Sequence, residues 1–149
     1  MVSTTVNVPE EMLGRLIGVK GKTKRLIERM GGVKIKIKDC LVAIKGEDGI
    51  QVMKASEVVR AISEGLPVKN AFELFQEDYQ LVIYDIESVV PNRAALDRQK
   101  ARVIGEKGKT KHYFERMLEI KLHIGDSKIF AIGPGDKLRI FREALERLV

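Results

Sequence analysis

A chain of 149 residues, 44% of them hydrophobic, can fill one medium core or two small ones, so length alone leaves the domain count open. Its 27 basic residues outnumber its 21 acidic ones, and the net charge of +6 suits a polyanionic partner without proving one. A single cysteine, Cys40, excludes an intramolecular disulfide; no run of residues approaches a membrane span and the N-terminus lacks the order of a secretory signal, so the expectation is a cytoplasmic protein.

Thr4 to Val8 alternates as a strand that stops at Pro9, and Glu10 to Ile17 reads as a short helix with acids in its first turn. A glycine loop, Gly18-Val19-Lys20-Gly21, comes next. Leu26, Ile27 and Met30 then recur at helical spacing until Gly31-Gly32 ends the helix. Val33, Ile35 and Ile37 alternate with Lys34, Lys36 and Lys38, which puts apolar side chains on one face of a strand and ammonium groups on the other. Those lysines read either as a solvated face or as part of an electrostatic footprint. After a turn at Lys38-Asp39, Leu41 to Ile44 forms a further strand. Asp48 is placed to cap a helix through Val52, Ala55, Val58, Val59 and Ile62, closed by Gly65 and Pro67.

The second half repeats the first. Arg15-Leu16-Ile17-Gly18-Val19-Lys20-Gly21-Lys22-Thr23-Lys24 returns as Arg102-Val103-Ile104-Gly105-Glu106-Lys107-Gly108-Lys109-Thr110-Lys111, and Glu28-Arg29-Met30 returns as Glu115-Arg116-Met117. The expected elements are a strand over Tyr79 to Ile86, helices over Leu96 to Ile104 and Thr110 to Leu118, strands over Ile120 to Ile124 and Ile129 to Ile132, and a helix from Leu138 to Leu148. Asp136 is expected in the capping place of Asp48. This correspondence points to a duplicated module. The joint between the copies holds Ala71, Phe72, Leu74 and Phe75, too apolar for a flexible tether, and is expected to pack and fix the modules against each other.

Two helices that meet at a G-x-x-G turn leave unpaired backbone N–H groups at the start of the second helix. A side chain at either glycine would hold a phosphate away, so Gly18, Gly21, Gly105 and Gly108 let a nucleic-acid backbone approach closely. Arg15, Lys20, Lys22 and Lys24 in one loop, and Arg102, Lys107, Lys109 and Lys111 in the other, add positive charge, which Glu106 opposes. A lone G-x-x-G reads as a helix corner; two in the same context read as phosphate sites. A nucleotide-hydrolysing P-loop is excluded, because Leu16 and Val103 stand where it needs glycine and both loops follow a helix where a P-loop follows a strand. His112 and His123, the only histidines, have no metal-ligand company, and no serine or cysteine stands near a plausible base. The reading is a non-enzyme without metal or cofactor.

The element order, with Ile17-Gly18-Val19-Lys20-Gly21 and Ile104-Gly105-Glu106-Lys107-Gly108 between helices, resembles the KH domain of type I topology. The resemblance implies an α+β fold of two type I KH domains, residues 1–66 and 79–149 around a helical joint at 67–78, each a three-stranded antiparallel sheet with three helices on one face. It further implies that each loop, Val19 included, holds the backbone of single-stranded RNA. The bases would lie in an apolar groove, for which Ile17, Ile27, Ile35 and Ile37, and Ile104, Phe114, Leu122 and Ile124, are groove or core candidates. Two such modules with Gly65-Leu66-Pro67 and a short apolar helix between them resemble the archaeal form of a KH-domain ribosome-assembly factor family, partner of Nob-one. That likeness implies binding of precursor small-subunit rRNA near its 3′ end, beside a PIN-domain endonuclease and other assembly or initiation proteins. The alternatives are a KH regulator of mRNA decay or translation, and a protein-interaction scaffold with weak RNA binding.

Overall fold

In the computed structural model, which describes residues 1–148, the chain divides into two units, Met1–Glu77 and a second from Asp78 onward. The first contains β1 (Val2–Asn7), α1 (Glu10–Ile17), α2 (Lys22–Gly31), β2 (Lys34–Lys38), β3 (Leu41–Gly46), α3 (Gly49–Ser63) and α4 (Val68–Ala71). Its antiparallel sheet has the order β1-β3-β2, with β2 at an edge. The register sets Ile35 beside Ile44, both buried, and Lys34 beside Lys45, both exposed, so the alternation read in the sequence becomes a helix-covered face and a wet face. Leu16, Ile27, Val42, Val58 and Ile62 complete the core. Asp48 caps α3 as expected, its Oδ1 accepting the N–H of Ile50 at 2.8 Å.

The joint is part of this unit. Phe72–Phe75 forms a 3₁₀ turn packed on α3, with Ala71 and Leu74 fully buried. Lys54 of α3 donates to the carbonyls of Leu74 (3.2 Å) and Gln76 (2.9 Å). Gly31 leaves the space Phe75 occupies, since a Cβ there would stand 3.0 Å from the ring.

The second unit repeats the order with β4 (Tyr79–Asp85), α5 (Arg93–Ile104), α6 (Lys109–Leu118), β5 (Lys121–Ile124), β6 (Lys128–Pro134) and α7 (Gly135–Leu148). The antiparallel sheet runs β4-β6-β5. Ile86, Leu96, Val103, Leu122, Ala131 and Phe141 meet in its core. Two expectations need correction. The helix expected from Leu96 begins at Arg93, because Asn92 caps it, its Oδ1 accepting the N–H of Ala95 at 2.9 Å. Asp136 is not the counterpart of Asp48: α7 begins at Gly135, which places Asp136 inside the first turn. On the surface, Arg93 grips both carboxylate oxygens of Asp126 at 2.8 and 3.2 Å, and this hydrogen-bonded pairing holds the Asp126 carboxyl below its ordinary pKa.

Candidate nucleic-acid interface

Both glycine loops adopt one backbone. Gly18, Lys20 and Gly21 have φ of 76°, 54° and 75°, and Gly105, Lys107 and Gly108 have 76°, 55° and 77°. At the first glycine, ψ near 180° (176° and 172°) adds a restriction, because that combination is open essentially to glycine alone. A Cβ on Gly18 would also press into the side chain of Thr23 and lie 2.8 Å from its backbone N; Gly105 stands the same way against Thr110. The first glycine of each loop thus packs against the threonine five residues on, which lets α1 turn into α2, and α5 into α6.

The helix start beyond each loop favours an anion. No side chain caps the first turn of α2 or α6, and neither first turn holds an acid. The N–H groups of Lys22 and Lys109 already donate to the carbonyls of Val19 and Glu106, so it is the positive end of the helix dipole that favours a negatively charged group here. Val19, Lys20 and Lys22, and Glu106, Lys107 and Lys109, are exposed around these helix starts.

The other basic residues expected at the loops have different surroundings. Arg15 donates to the carbonyls of Ile62 (2.9 Å) and Leu66 (2.8 Å), sealing the C-terminal end of α3. Lys24 lies 3.7 Å from Glu28, and Lys111 lies 3.2 Å from Glu115. These two glutamates tie helix to edge strand: Glu28 accepts the N–H of Ile35 at 2.9 Å and Glu115 that of Leu122 at 3.0 Å. Arg102 is exposed near the end of α5. Of the groove or core candidates, Ile27, Ile35 and Leu122 are buried, whereas Ile17, Ile37, Ile104, Phe114 and Ile124 are half-buried.

Sequence reasoning missed Arg25, whose Nη1 donates to the carbonyl of Lys20 at 2.7 Å and so braces the first loop from behind. His112 takes that position in the second unit, with Nδ1 3.5 Å from Glu115. An open groove of about 1050 Å³ extends along α2 to the ends of β2 and β3. Lys22, Arg25, Arg29, Lys34, Lys36 and Lys45 line it against two acids, Glu28 and Glu47, with Leu26 and Val33 in its apolar wall. Lys34 and Lys36 therefore border a cleft, whereas Lys38 lies outside its lining on the exposed face. The second unit has a smaller cavity of about 520 Å³ along α6, lined by Lys109, Thr110, His112, Tyr113 and Arg116. Among the described residues no group of His, Cys, Asp or Glu is arranged to hold a metal ion, and no helix is long and apolar enough to cross a membrane.

Residues 3–78 and 80–149 each match the family model of the eukaryotic type KH-domain, KH-domain type I. The KH domain-containing protein MJ0443 of Methanocaldococcus jannaschii is 34% identical over 149 residues, 97% of this chain and 66% of that protein. Pre-rRNA-processing protein PNO1 of Coccidioides immitis is 30% identical over 100 residues, 66% of this chain but only 39% of that longer protein. The chain thus spans just under two thirds of the first relative and well under half of the second. Among solved structures, a chain of the a/eIF2alpha-aDim2p-rRNA complex from Pyrococcus horikoshii superposes with a TM-score of 0.85 at 31% identity, covering 99% of this chain and 84% of that one.

Proposed function

For a chain that belongs to the type I KH-domain family, in the branch of PNO1 and Dim2p, we propose a non-enzymatic role: binding single-stranded precursor small-subunit rRNA near its 3′ end during ribosome maturation. Each unit acts as one KH domain. Phosphates of the strand approach the glycine loops, where the helix dipole and Lys20, Lys22, Lys107 and Lys109 neutralise them. Bases rest against the half-buried apolar side chains beside each loop. Cleavage of the precursor belongs to a partner, a PIN-domain endonuclease.

The observation that carries this reading is the duplicated loop, with the same left-handed backbone and the same uncapped, acid-free helix start in both copies. The naming of one relative for pre-rRNA processing and the presence of rRNA in the complex of another support it.

The test is affinity for a short unpaired RNA from the 3′ end of small-subunit rRNA against a scrambled oligomer, at two salt concentrations. Tighter binding to the authentic sequence is expected. Affinity should fall with salt by a log–log slope of about 0.7 per phosphate neutralised. Equal binding to both oligomers would remove the ribosomal assignment, and no binding to either would remove RNA altogether.

A further inference from the structure

The helix after each loop has a second basic face, turned to solvent. In α6 it consists of Lys109, His112, Tyr113, Arg116 and Met117, which helical geometry stacks into one stripe. Tyr113 is 53% exposed, and no other tyrosine or phenylalanine among the described residues is exposed. Its ring is braced: it lies edge-on to Phe114 at 6.0 Å, and Phe114 lies edge-on to the buried Phe141 at 5.2 Å. An aromatic ring in contact with Phe114 thus faces water in a cavity that Lys109, His112 and Arg116 line and to which no acid contributes.

That combination fits one kind of ligand. Unpaired nucleic acid presents flat bases that stack on an aromatic ring, with phosphates spaced between them for flanking cations. A protein partner would have to bring acids and an apolar surface together on one small face. The first unit supplies an internal comparison: at the equivalent positions it carries Lys22, Arg25, Leu26, Arg29 and Met30, which keep the basic and sulfur groups but replace the ring by leucine. Its α2 face therefore offers contacts to phosphate without a stacking surface.

We propose that Tyr113 is a stacking platform for one unpaired base of the RNA held by the second loop, with Lys109 and Arg116 on the phosphates either side. The site rests on the RNA-binding reading and adds a base contact on the outer face of α6, beyond the G-x-x-G loop. It makes the second unit the more discriminating between base-bearing and bare backbone, and the first unit the more purely electrostatic.

The experiment uses the full chain with two probes of ten nucleotides, an unpaired RNA and an oligomer of equal phosphate count whose riboses lack bases. Tyr113→Leu installs the residue that the first unit carries at this position, and Tyr113→Phe keeps the ring. Tyr113→Leu is expected to weaken binding of the base-bearing RNA about tenfold and Tyr113→Phe to leave it unchanged, while all three proteins bind the base-free oligomer alike. Wild-type affinity in Tyr113→Leu would overturn the platform and leave this face to a protein partner; equal loss in Tyr113→Phe would overturn it too, because the ring would not be what matters. Failure of the wild-type chain to bind either probe would instead sink the RNA reading as a whole, and this site with it.

Discussion

The carboxylate of Glu28 accepts the backbone N–H of Ile35 at 2.9 Å, so a side chain from the helix satisfies an edge-strand amide that no neighbouring strand reaches. Glu115 and Leu122 repeat the arrangement at 3.0 Å. Removing the acceptor leaves a part-buried amide without a partner. Glu28→Ala and Glu115→Ala should each lower stability by about 1–3 kcal/mol, and Glu28→Gln by less because its amide oxygen can still accept. Urea unfolding measures this; a midpoint unchanged in Glu28→Ala would refute it.

Loop backbone and loop charge are separable. Gly18→Ala forces a Cβ onto Thr23 at a φ of 76°, and should cost about 1–3 kcal/mol in thermal or urea unfolding along with RNA affinity. Val19→Asp with Lys20→Asp alters only exposed side chains, and aspartate tolerates the left-handed position of Lys20. The double variant should unfold like wild type yet bind RNA at least tenfold more weakly, through like-charge repulsion.

Arg15 should behave in the opposite way. With its guanidinium on the carbonyls of Ile62 and Leu66, Arg15→Ala is expected to destabilise the first unit by about 1–3 kcal/mol and leave RNA affinity per folded molecule unchanged. Parallel unfolding and filter-binding titrations decide the matter. A selective loss of RNA affinity would place Arg15 back at the loop.

The C-caps of α2 and α6 differ in a way that predicts a stabilising change. Gly32 closes α2 at φ 65°, but Glu119 closes α6 at φ 55°, a left-handed position that strains any residue with a Cβ. Glu119→Gly should raise stability by about 0.5–1 kcal/mol, visible as a higher midpoint in urea, and leave the loop untouched. A lower midpoint would mean that the Glu119 side chain holds the turn by a contact of its own.

The order of elements was legible because it rests on local periodicity: Lys34 to Lys38 alternates, and Leu26, Ile27 and Met30 recur at helical spacing. The KH family was legible from the glycine loops in their element order, and its branch from two such modules joined through Gly65-Leu66-Pro67 and a short apolar helix. What escaped depended on chain folding over distance. Arg15 read as loop charge because nothing in its neighbourhood announces carbonyls 47 and 51 residues away. The lysines of β2 stayed open between two readings because the groove exists only once α2 lies along the sheet edge. The repeated Glu-Arg-Met was visible as a likeness, but only the folded chain divides it into a glutamate that fastens the strand and an exposed Arg-Met pair. Arg25 carried no signal, since a brace to the carbonyl of Lys20 requires the loop geometry first.

Because Lys54 closes on the carbonyls of Leu74 and Gln76, and Phe75 fills the space above Gly31, the first unit finishes at Gln76, soon after its last long helix ends at Ser63. During synthesis it can complete its core as soon as Gln76 clears the ribosomal tunnel, before any strand of the second sheet has emerged. Two near-copies in one polypeptide are prone to exchanging equivalent strands. A first copy that locks its own end before the second emerges removes that opportunity in time as well as in space.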